Sequence, residues 1–389
     1  MGLVYRKNER QMNYPIGDFP IGQDERDAIN RVMDSGRISE GREVRAFEDE
    51  FADYLGVAHC VAVNSGTAAL MVGLKALEYL DMIPNNARVL IPALTFIATA
   101  NAVMLTGNVP VFGDVSLETM CLEPAELEKD FDIALPVHLF GIVASMDNIF
   151  TRARGRLVCE DACEAHGATY WGTKAGTMGA WGAFSFYIAH TVQAGEFGAL
   201  VTDNGDIARV ARQLKAHGRS CQCRVCTRYT TGCKHLENGD PRFRSEFPGY
   251  NFKPMEFQAA LARVQLKRID DNIAKRRENA RELTDGLRRV SEFCLPTFDE
   301  GSVPMAYPVV YTGDRDGLII ELQKLGVESR PIFGSIPHQQ PAYRQYADAV
   351  TPVSDHIGKQ GLYVGCHQYL HNIPSMCERI LEGIRNVEK

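Results

Sequence analysis

The chain has 389 residues, of which 45% are hydrophobic and 23% are charged, a composition that is ordinary for a large globular domain with a smaller one. Its formal net charge of -7 gives no sign of a basic face, so nucleic acid is not an expected partner. Residues 1–20 lack the apolar core of a signal peptide, and no later apolar run reaches the roughly 20 residues that span a bilayer. We therefore expect a cytoplasmic protein that does not bind membranes. Eleven cysteines in that reducing compartment favour metal or core roles over disulfides.

Short apolar runs alternate with amphipathic segments from about Ala58 to Val201. Helices are expected over residues 67–80 and 96–105, between some of these runs. The predicted strands, in chain order, are Cys60–Val63, Arg88–Ile91, Val109–Phe112, Ile133–Val137, Leu157–Glu160, Ala183–Tyr187 and Ala199–Thr202. This alternation is typical of an α/β protein with a mainly parallel sheet, here of seven strands, covered by helices.

From residue 220 onward, the sequence no longer shows the alternation of apolar runs and amphipathic segments. Residues 220–249 are rich in Cys and contain several Gly, which predicts a long functional loop. Residues 256–289 are strongly helical and dense in Arg and Lys, as expected of a connector to an α+β domain. We therefore predict a large domain over residues 1–255, which includes the loop, and a connecting helix with a small C-terminal α+β domain over residues 256–389.

Two segments of the large domain are candidates for binding a charged ligand. Ser65, Gly66 and Thr67 lie between an apolar strand and a helix, where amide groups and a hydroxyl could bind a phosphate, although such a turn is also an ordinary helix cap. Asp161 ends a buried strand, at the edge where open parallel sheets bind ligands. A buried carboxylate there needs a cation such as a protonated pyridine nitrogen, unless it only caps a helix.

Together with other motifs in the same order, these segments resemble the nucleotide-sugar aminotransferases over nearly the whole chain. The other motifs include Arg37-Ile-Ser-Glu-Gly41, Pro92-Ala-Leu-Thr-Phe96, residues 136–141, residues 182–198 and Phe247-Pro-Gly-Tyr-Asn251. The resemblance implies an aspartate aminotransferase-like fold, fold type I of the enzymes that use pyridoxal 5'-phosphate (PLP).

The same resemblance implies roles for individual residues. Asp161 would pair with the pyridine nitrogen of the coenzyme, and Phe96 would stack on its ring. Gly66, Thr67 and Ser185 would hold its phosphate. Asn251 would reach that phosphate from the second subunit of a homodimer.

His190 departs from the aminotransferase pattern, because it occupies the position of the lysine that those enzymes join covalently to the coenzyme. An imidazole cannot form that bond, but with an ordinary pKa of about 6.5 it can act as a general base. An inactive enzyme or a merely packed ring is the alternative interpretation. The same substitution resembles the 3-dehydratases of 4-keto-6-deoxy nucleotide sugars, which hold pyridoxamine 5'-phosphate (PMP) noncovalently. Glu164, where aminotransferases usually have Gln, also resembles that branch and is carried over as a coenzyme-binding residue.

The cysteines resemble one type within that branch, the iron–sulfur dehydratases of CDP-4-keto-6-deoxyglucose. Those enzymes have a cysteine after the coenzyme aspartate, then 57 residues, Cys-x-Cys, seven residues and a final Cys. Cys163, Cys221 and Cys223 reproduce the first three positions, whereas Cys226 follows after two residues and Cys233 after nine. We favour Cys233 as the fourth ligand and keep Cys226 as the alternative.

This resemblance implies an iron–sulfur cluster, with [2Fe-2S] favoured and [4Fe-4S] possible. It also implies an electron donor that is a reductase or a ferredoxin- or flavodoxin-like protein. Because Cys221–Cys233 is a local cluster of thiols, a zinc site within it is the alternative.

The sequence thus predicts a PMP- and iron–sulfur-dependent 3-dehydratase that acts on a nucleotide-linked 4-keto-6-deoxy sugar, with His190 as the base. Two alternatives stay open: a cluster-free dehydratase that regenerates its amine from glutamate, and a noncatalytic protein that retained a coenzyme pocket. Arg219, Arg330 and His338 could contact substrate phosphates or hydroxyls, but each is as readily a structural or solvated residue.

Overall fold

The computed structural model describes residues 12–221, 223, 232–233, 240–332 and 334–388. Cys226 lies outside these described residues. In chain order, the elements of the first part of the chain are α1 (Gln23–Asp34), α2 (Arg42–Leu55), β1 (His59–Val63), α3 (Gly66–Tyr79), β2 (Arg88–Pro92), α4 (Ile97–Leu105), β3 (Val109–Gly113), β4 (Ile133–Ala134), α5 (Met146–Ala153), β5 (Leu157–Val158), β6 (Glu160–Asp161), β7 (Thr169–Tyr170), β8 (Thr173–Lys174), β9 (Gly182–Ser185), β10 (Gly198–Thr202) and α6 (Gly205–Leu214).

Strands β7 and β8 pair only with each other, as a separate antiparallel hairpin. The other strands build two four-stranded halves that join where β5 continues into β6, which gives one central sheet of seven in the order β3, β2, β4, β5 with β6, β9, β10, β1. β5 and β6 form a single strand interrupted at Cys159, whose amide donates to the Ala134 carbonyl at 2.9 Å. Within the central sheet, every strand runs parallel to the others except β10, which is antiparallel to both of its neighbours. The predicted seven-stranded, mainly parallel sheet is confirmed, and the bounds of each predicted strand overlap those observed.

Helices cover both faces of the sheet, as parallel sheets require. Helix α3 packs on one face together with α4 and α6, and its residues from Ala68 to Leu77 are almost all buried. Helix α2 lies on the other face, where Phe47 and Phe51 meet Phe184 and Phe186 edge to face at ring distances near 5.1 Å. These aromatic contacts fix the strand that leads toward His190.

The C-terminal part forms a smaller α+β unit, as predicted. Its elements are α7 (Glu256–Leu266), α8 (Ile269–Leu287), β11 (Phe293–Cys294), β12 (Ala306–Tyr311), α9 (Arg315–Lys324), β13 (Ser329–Pro331), α10 (Pro352–Gln360), β14 (Gly361–Gly365) and α11 (Ile373–Val387). The four strands make an antiparallel sheet in the order β11, β12, β14, β13. The predicted connecting helix is instead two helices, because the helical backbone is interrupted at residues 267–268. The domain boundary after residue 255 stays a prediction.

No helix within the described ranges combines the length and the apolar character that crossing a bilayer needs.

Candidate active site

A cavity of about 450 Å³ lies at the carboxyl ends of the central parallel strands. Its walls come from the turn before α3, from the ends of β6 and β9, and from the C-terminal sheet. The residues predicted for the coenzyme that line it are Gly66, Thr67, Phe96, Asp161, Glu164, Ser185 and His190. The fold therefore collects at one point residues that are up to 124 positions apart in the sequence. Asn251 lines a different cavity of the same chain.

The turn before α3 has the close packing that a ligand cradle needs. Ser65 caps the helix, since its Oγ accepts the amide of Ala68 at 3.1 Å. A Cβ added to Gly66 would lie 2.6 Å from the Cβ of Ser185 and 2.9 Å from the Sγ of Cys163, so a side chain does not fit there. The first turn of a helix carries amides that the helix itself does not use. The turn is therefore a helix cap, which was the alternative to a phosphate site. Its free amides could also bind a phosphate.

Asp161 is buried at the end of β6 with 4% of its surface exposed. Thr99 donates its hydroxyl to Oδ2 at 2.8 Å, and the amide of Cys163 donates to Oδ1 at 3.2 Å. Burial nevertheless raises the pKa of Asp161 above its ordinary value. A cationic group in the cavity would favour the ionised carboxylate. The protonated ring nitrogen of a pyridoxal-type coenzyme is such a cation, so the buried Asp161 fits a coenzyme of this type.

His190 lies in the loop between β9 and β10 and faces the same cavity. Its Nδ1 is hydrogen-bonded to the carbonyl of Ser185. Because a carbonyl oxygen only accepts, Nδ1 carries the proton and the neutral ring keeps a lone pair on Nε2. Burial lowers the pKa of His190 to about 4, so the ring is neutral at pH 7. The side chain is therefore arranged to accept a proton through Nε2.

Arg276 of α8 holds the backbone of this loop. Its guanidinium is fully buried and donates to the carbonyls of Ala189 and His190, each at 2.9 Å. It also donates to the carbonyl of Met305 at 2.8 Å and to Oε1 of Gln368 at 2.7 Å. The sequence did not single out Arg276, because it is one of many cationic residues between positions 256 and 289. Nothing in a local pattern distinguishes the one that turns inward.

Glu164 is a second buried carboxyl group in the cavity. Its Oε2 accepts the amide of Phe140 at 2.7 Å, and Phe140 presents that amide from the left-handed region with φ of 54°. Burial raises the pKa of Glu164 to about 8. At neutral pH the group is therefore mainly a neutral acid, which can donate a hydrogen bond.

Among the other residues that line the cavity, Thr99 and Tyr363 were not singled out from the sequence, and Arg330 was considered only as a possible substrate contact. Thr99 follows Phe96 by three positions on the first turn of α4, a spacing that places both on one side of a helix. Arg330 and Tyr363 come from β13 and β14, where they are paired in register. Their arrival from the C-terminal sheet depends on tertiary structure. His338, also considered, instead contacts Asp355 at 2.5 Å.

The predicted cluster ligands are divided between two cavities. Cys163 lines the cavity of about 450 Å³ described above, which we call the coenzyme cavity. Cys221 and Cys223 instead line a second cavity of about 800 Å³. Cys233 is half-buried. Across the described ranges, no group of three or more His, Cys, Asp or Glu side chains is placed to hold a metal ion. Within a single chain, the described thiols therefore do not fit one cluster.

Comparisons with known proteins agree with this geometry. The model of the DegT/DnrJ/EryC1/StrS aminotransferase family matches residues 20–384. The chain is 34% identical over 361 residues to GDP-perosamine synthase of Caulobacter vibrioides, covering 88% of this chain and 90% of the relative. It is 30% identical over 415 residues to dTDP-4-dehydro-2,6-dideoxy-D-glucose 3-dehydratase of Saccharopolyspora spinosa, covering 98% and 89%.

Among solved structures, E. coli GDP-4-keto-6-deoxy-D-mannose-3-dehydratase with bound hydrated PLP is similar, with a TM-score of 0.86 and 27% identity over 95% of this chain and 100% of that one. The sheet, the coenzyme cavity and these likenesses agree on an enzyme of fold type I. The chain belongs to the DegT/DnrJ/EryC1/StrS aminotransferase family.

Proposed function

We propose that the chain is a PMP-dependent 3-dehydratase of a nucleotide-linked 4-keto-6-deoxy sugar. The observation that carries this proposal is His190, a neutral base held inside the coenzyme cavity by its hydrogen bond to the carbonyl of Ser185. The resemblance to the aminotransferases implies that their lysine occupies this position. An aminotransferase that lacks this lysine has no amine with which to bind its coenzyme covalently. The two 3-dehydratases among the similar proteins support the same reaction class.

Seven residues that line the cavity have a role in this proposal. When bound, the coenzyme supplies an amine that condenses with the sugar ketone and a ring that accepts electrons. Asp161 keeps the ring nitrogen protonated, and the turn at Gly66 and Thr67 binds the phosphate. His190 removes a proton from the C4' carbon through Nε2, and Glu164 donates a hydrogen bond as a neutral acid. Ser185 adds to the phosphate site, and Phe96 packs against the ring.

The substitution His190→Asn tests the assignment of the base. We expect the variant to bind PMP with unchanged affinity but to lose deuterium exchange at C4' of the coenzyme, because an amide has no basic nitrogen at neutral pH. The exchange is measured by mass spectrometry after incubation in heavy water with PMP and GDP- or dTDP-linked 4-keto-6-deoxyhexose. His338→Asn, which changes a histidine outside the cavity, is the matched control and should exchange as the wild type does.

Wild-type exchange in His190→Asn would remove His190 from the mechanism. No exchange in the wild type with any keto sugar would favour the noncatalytic alternative.

We further propose that the enzyme contains an iron–sulfur cluster, with [2Fe-2S] favoured, and receives electrons from a reductase or from a ferredoxin- or flavodoxin-like protein. The support is the spacing of Cys163, Cys221 and Cys223, with Cys233 as the fourth ligand. Since the described thiols do not fit a cluster within one chain, no step of the reaction is assigned to it. A homodimer and a cytoplasmic location belong to the same proposal.

Anaerobic purification followed by iron and sulfide analysis decides whether the cluster exists. We expect about two iron and two sulfide per chain and a paramagnetic signal after one-electron reduction. An iron-free protein that is active with glutamate as amine donor would instead establish the cluster-free dehydratase.

A further inference from the structure

Two polar side chains are buried next to Asp161 but outside the coenzyme cavity. Glu160 precedes Asp161 on β6, and His138 belongs to the turn at residues 136–141; each has 0% of its surface exposed. Successive side chains of a strand point to opposite faces of the sheet, so Glu160 points away from the face on which Asp161 meets the cavity. Neither Glu160 nor His138 lines that cavity. The proposed reaction therefore does not by itself explain why they are buried there.

The carboxyl group of Glu160 accepts two hydrogen bonds on each oxygen. Its Oε1 accepts the amides of Met178 and Gly179, each at 2.6 Å. Its Oε2 accepts the amide of Gly176 at 2.8 Å and lies 3.0 Å from Nε2 of His138. A carboxyl group that only accepts hydrogen bonds is ionised. A buried carboxylate is costly unless it is hydrogen-bonded, so this group depends on all of its donors.

His138 is held in one tautomer and contacts two consecutive residues of β6. Its Nδ1 accepts the amide of Ala144 at 3.2 Å, so the proton of the neutral ring is on Nε2, which donates to Glu160. The backbone amide of His138 donates to the carbonyl of Asp161 at 3.0 Å. His138 therefore binds Glu160 through its side chain and Asp161 through its main chain.

The turn that carries His138 also serves the second acidic residue of the cavity. Phe140 gives its amide to Glu164 from a left-handed backbone, and Gly141 follows with φ of 80°. A Cβ on Gly141 would lie 1.8 Å from the carbonyl oxygen of Val303, so the turn is packed too closely for a side chain there. A backbone of this kind persists only where its surroundings hold it. The bond between the His138 ring and β6 is one of the contacts that hold this turn.

We propose that His138 and Glu160 are positioning residues for the coenzyme, which together hold the end of β6 so that the carboxylate of Asp161 meets the protonated ring nitrogen of bound PMP. This inference rests on the proposed function, since it presupposes that coenzyme. Because neither residue reaches the cavity, both act through Asp161. Their effect on binding should therefore be confined to the interaction of the ring nitrogen.

Two substitutions separate the two bonds of the His138 ring. In His138→Asn, the short amide places its oxygen near the position of Nδ1, so it keeps the acceptor for Ala144 but loses the donor to Glu160. In His138→Gln, the longer amide places its NH2 group near the position of Nε2, so it keeps the donor but loses the acceptor. The two variants thus change the same residue and differ in which bond remains.

The ligands are PMP and its 1-deaza analogue, in which a carbon replaces the ring nitrogen. Isothermal titration calorimetry of the coenzyme-free protein measures both dissociation constants, and their ratio is the preference for PMP. The wild type should prefer PMP, because only PMP can pair its ring nitrogen with Asp161. A general disturbance of the cavity would weaken both ligands and leave this ratio unchanged.

We expect His138→Asn to lower the preference about tenfold, through weaker binding of PMP alone, which is the size of one hydrogen bond to a charged group. His138→Gln should keep the wild-type preference. Asp161→Asn should abolish the preference, and adding His138→Asn to it should change nothing further, because residues that act through one another are not additive. His338→Asn is the matched control and should bind both ligands as the wild type does.

Equal weakening of both ligands in His138→Asn, or an unchanged preference, would overturn the proposal, and so would a larger loss in His138→Gln. If the His138 variants do not fold, Glu160→Gln is the second route; it keeps the size of the side chain but turns an NH2 group toward amide donors, and it should lose the preference in the same way. Failure of all three variants to fold would mean that the pair stabilises the fold instead, which also overturns the proposal. A wild type that binds neither ligand, or both equally, would contradict the coenzyme assignment of the proposed function.

Discussion

Burial moves the pKa values of several titratable side chains of the coenzyme cavity away from their ordinary values, and three of these side chains have a role in the proposed reaction. Burial raises the pKa of Asp161 and of Glu164 and lowers that of His190. In each case burial disfavours the charged form, so His190 is a neutral base and Glu164 mainly a neutral acid at pH 7, while a cation beside Asp161 would favour its ionised form. The sequence identified these residues by resemblance to a family. It could not reveal their protonation states, because burial is a property of the packed structure.

Glu164 gives a stability effect whose sign follows from its pKa. The folded protein keeps this proton up to about pH 8, whereas the unfolded chain loses it near the ordinary value of 4.5. Ionisation therefore opposes folding as the pH rises through this window, and one pH unit between the two pKa values corresponds to about 1.4 kcal/mol. We expect the free energy of unfolding of the wild type to fall relative to Glu164→Gln between pH 5 and pH 8.

Urea unfolding of the coenzyme-free protein at several pH values measures this difference. The exposed substitution Glu118→Gln is the control and should follow the wild type across the whole range. A difference between wild type and Glu164→Gln that stays constant with pH would mean that Glu164 is already ionised in the folded cavity.

At the scale of elements, the loop that carries His190 depends on a helix from the other end of the chain. Arg276 of α8 donates to two consecutive carbonyls of this loop, and Asn272, one turn earlier, donates to the carbonyl of Thr191 at 3.3 Å. Arg276 does not touch the space that the coenzyme would occupy, so its role is to position the base. The loop is ordered because these buried carbonyls have partners.

We expect Arg276→Met to lower the free energy of unfolding by about 3 kcal/mol or more, because it leaves several buried carbonyls without a donor. Arg276→Lys keeps the charge but loses the fork of donors, so it should fold and yet slow the deuterium exchange that depends on His190. Arg277→Lys, at a half-buried neighbour, is the control and should leave the exchange unchanged. Wild-type exchange in Arg276→Lys would show that His190 is positioned without Arg276.

The sequence predicted the strands of the central sheet because their signals are local. These strands are short apolar runs. Asn204 likewise gives a local signal, since it caps α6 by accepting the amides of Asp206 and Ile207. Two features were not foreseen. The break between α7 and α8 falls at Lys267 and Arg268, where neither Gly nor Pro marks it. The antiparallel direction of β10 is set by its neighbours in the sheet, and no local pattern encodes it.

At the scale of the whole molecule, the site combines parts that the sequence does not connect. The walls of the coenzyme cavity include Arg330 and Tyr363 from the C-terminal sheet, beside residues of the phosphate turn. Residue types and family motifs could predict the seven coenzyme residues that meet there. They could not predict that Asn251 and two of the cysteines lie in a separate cavity, because this depends on how the chain folds back after α6.

The hydrogen bond between Nδ1 of His190 and the carbonyl of Ser185 has a consequence for stereochemistry. It fixes the imidazole against rotation, so the same nitrogen is presented from the same side of the cavity in every turnover. A base held in this way approaches only one face of a bound ligand. The two hydrogens of a prochiral carbon placed above it are then no longer equivalent, and only one of them is lost.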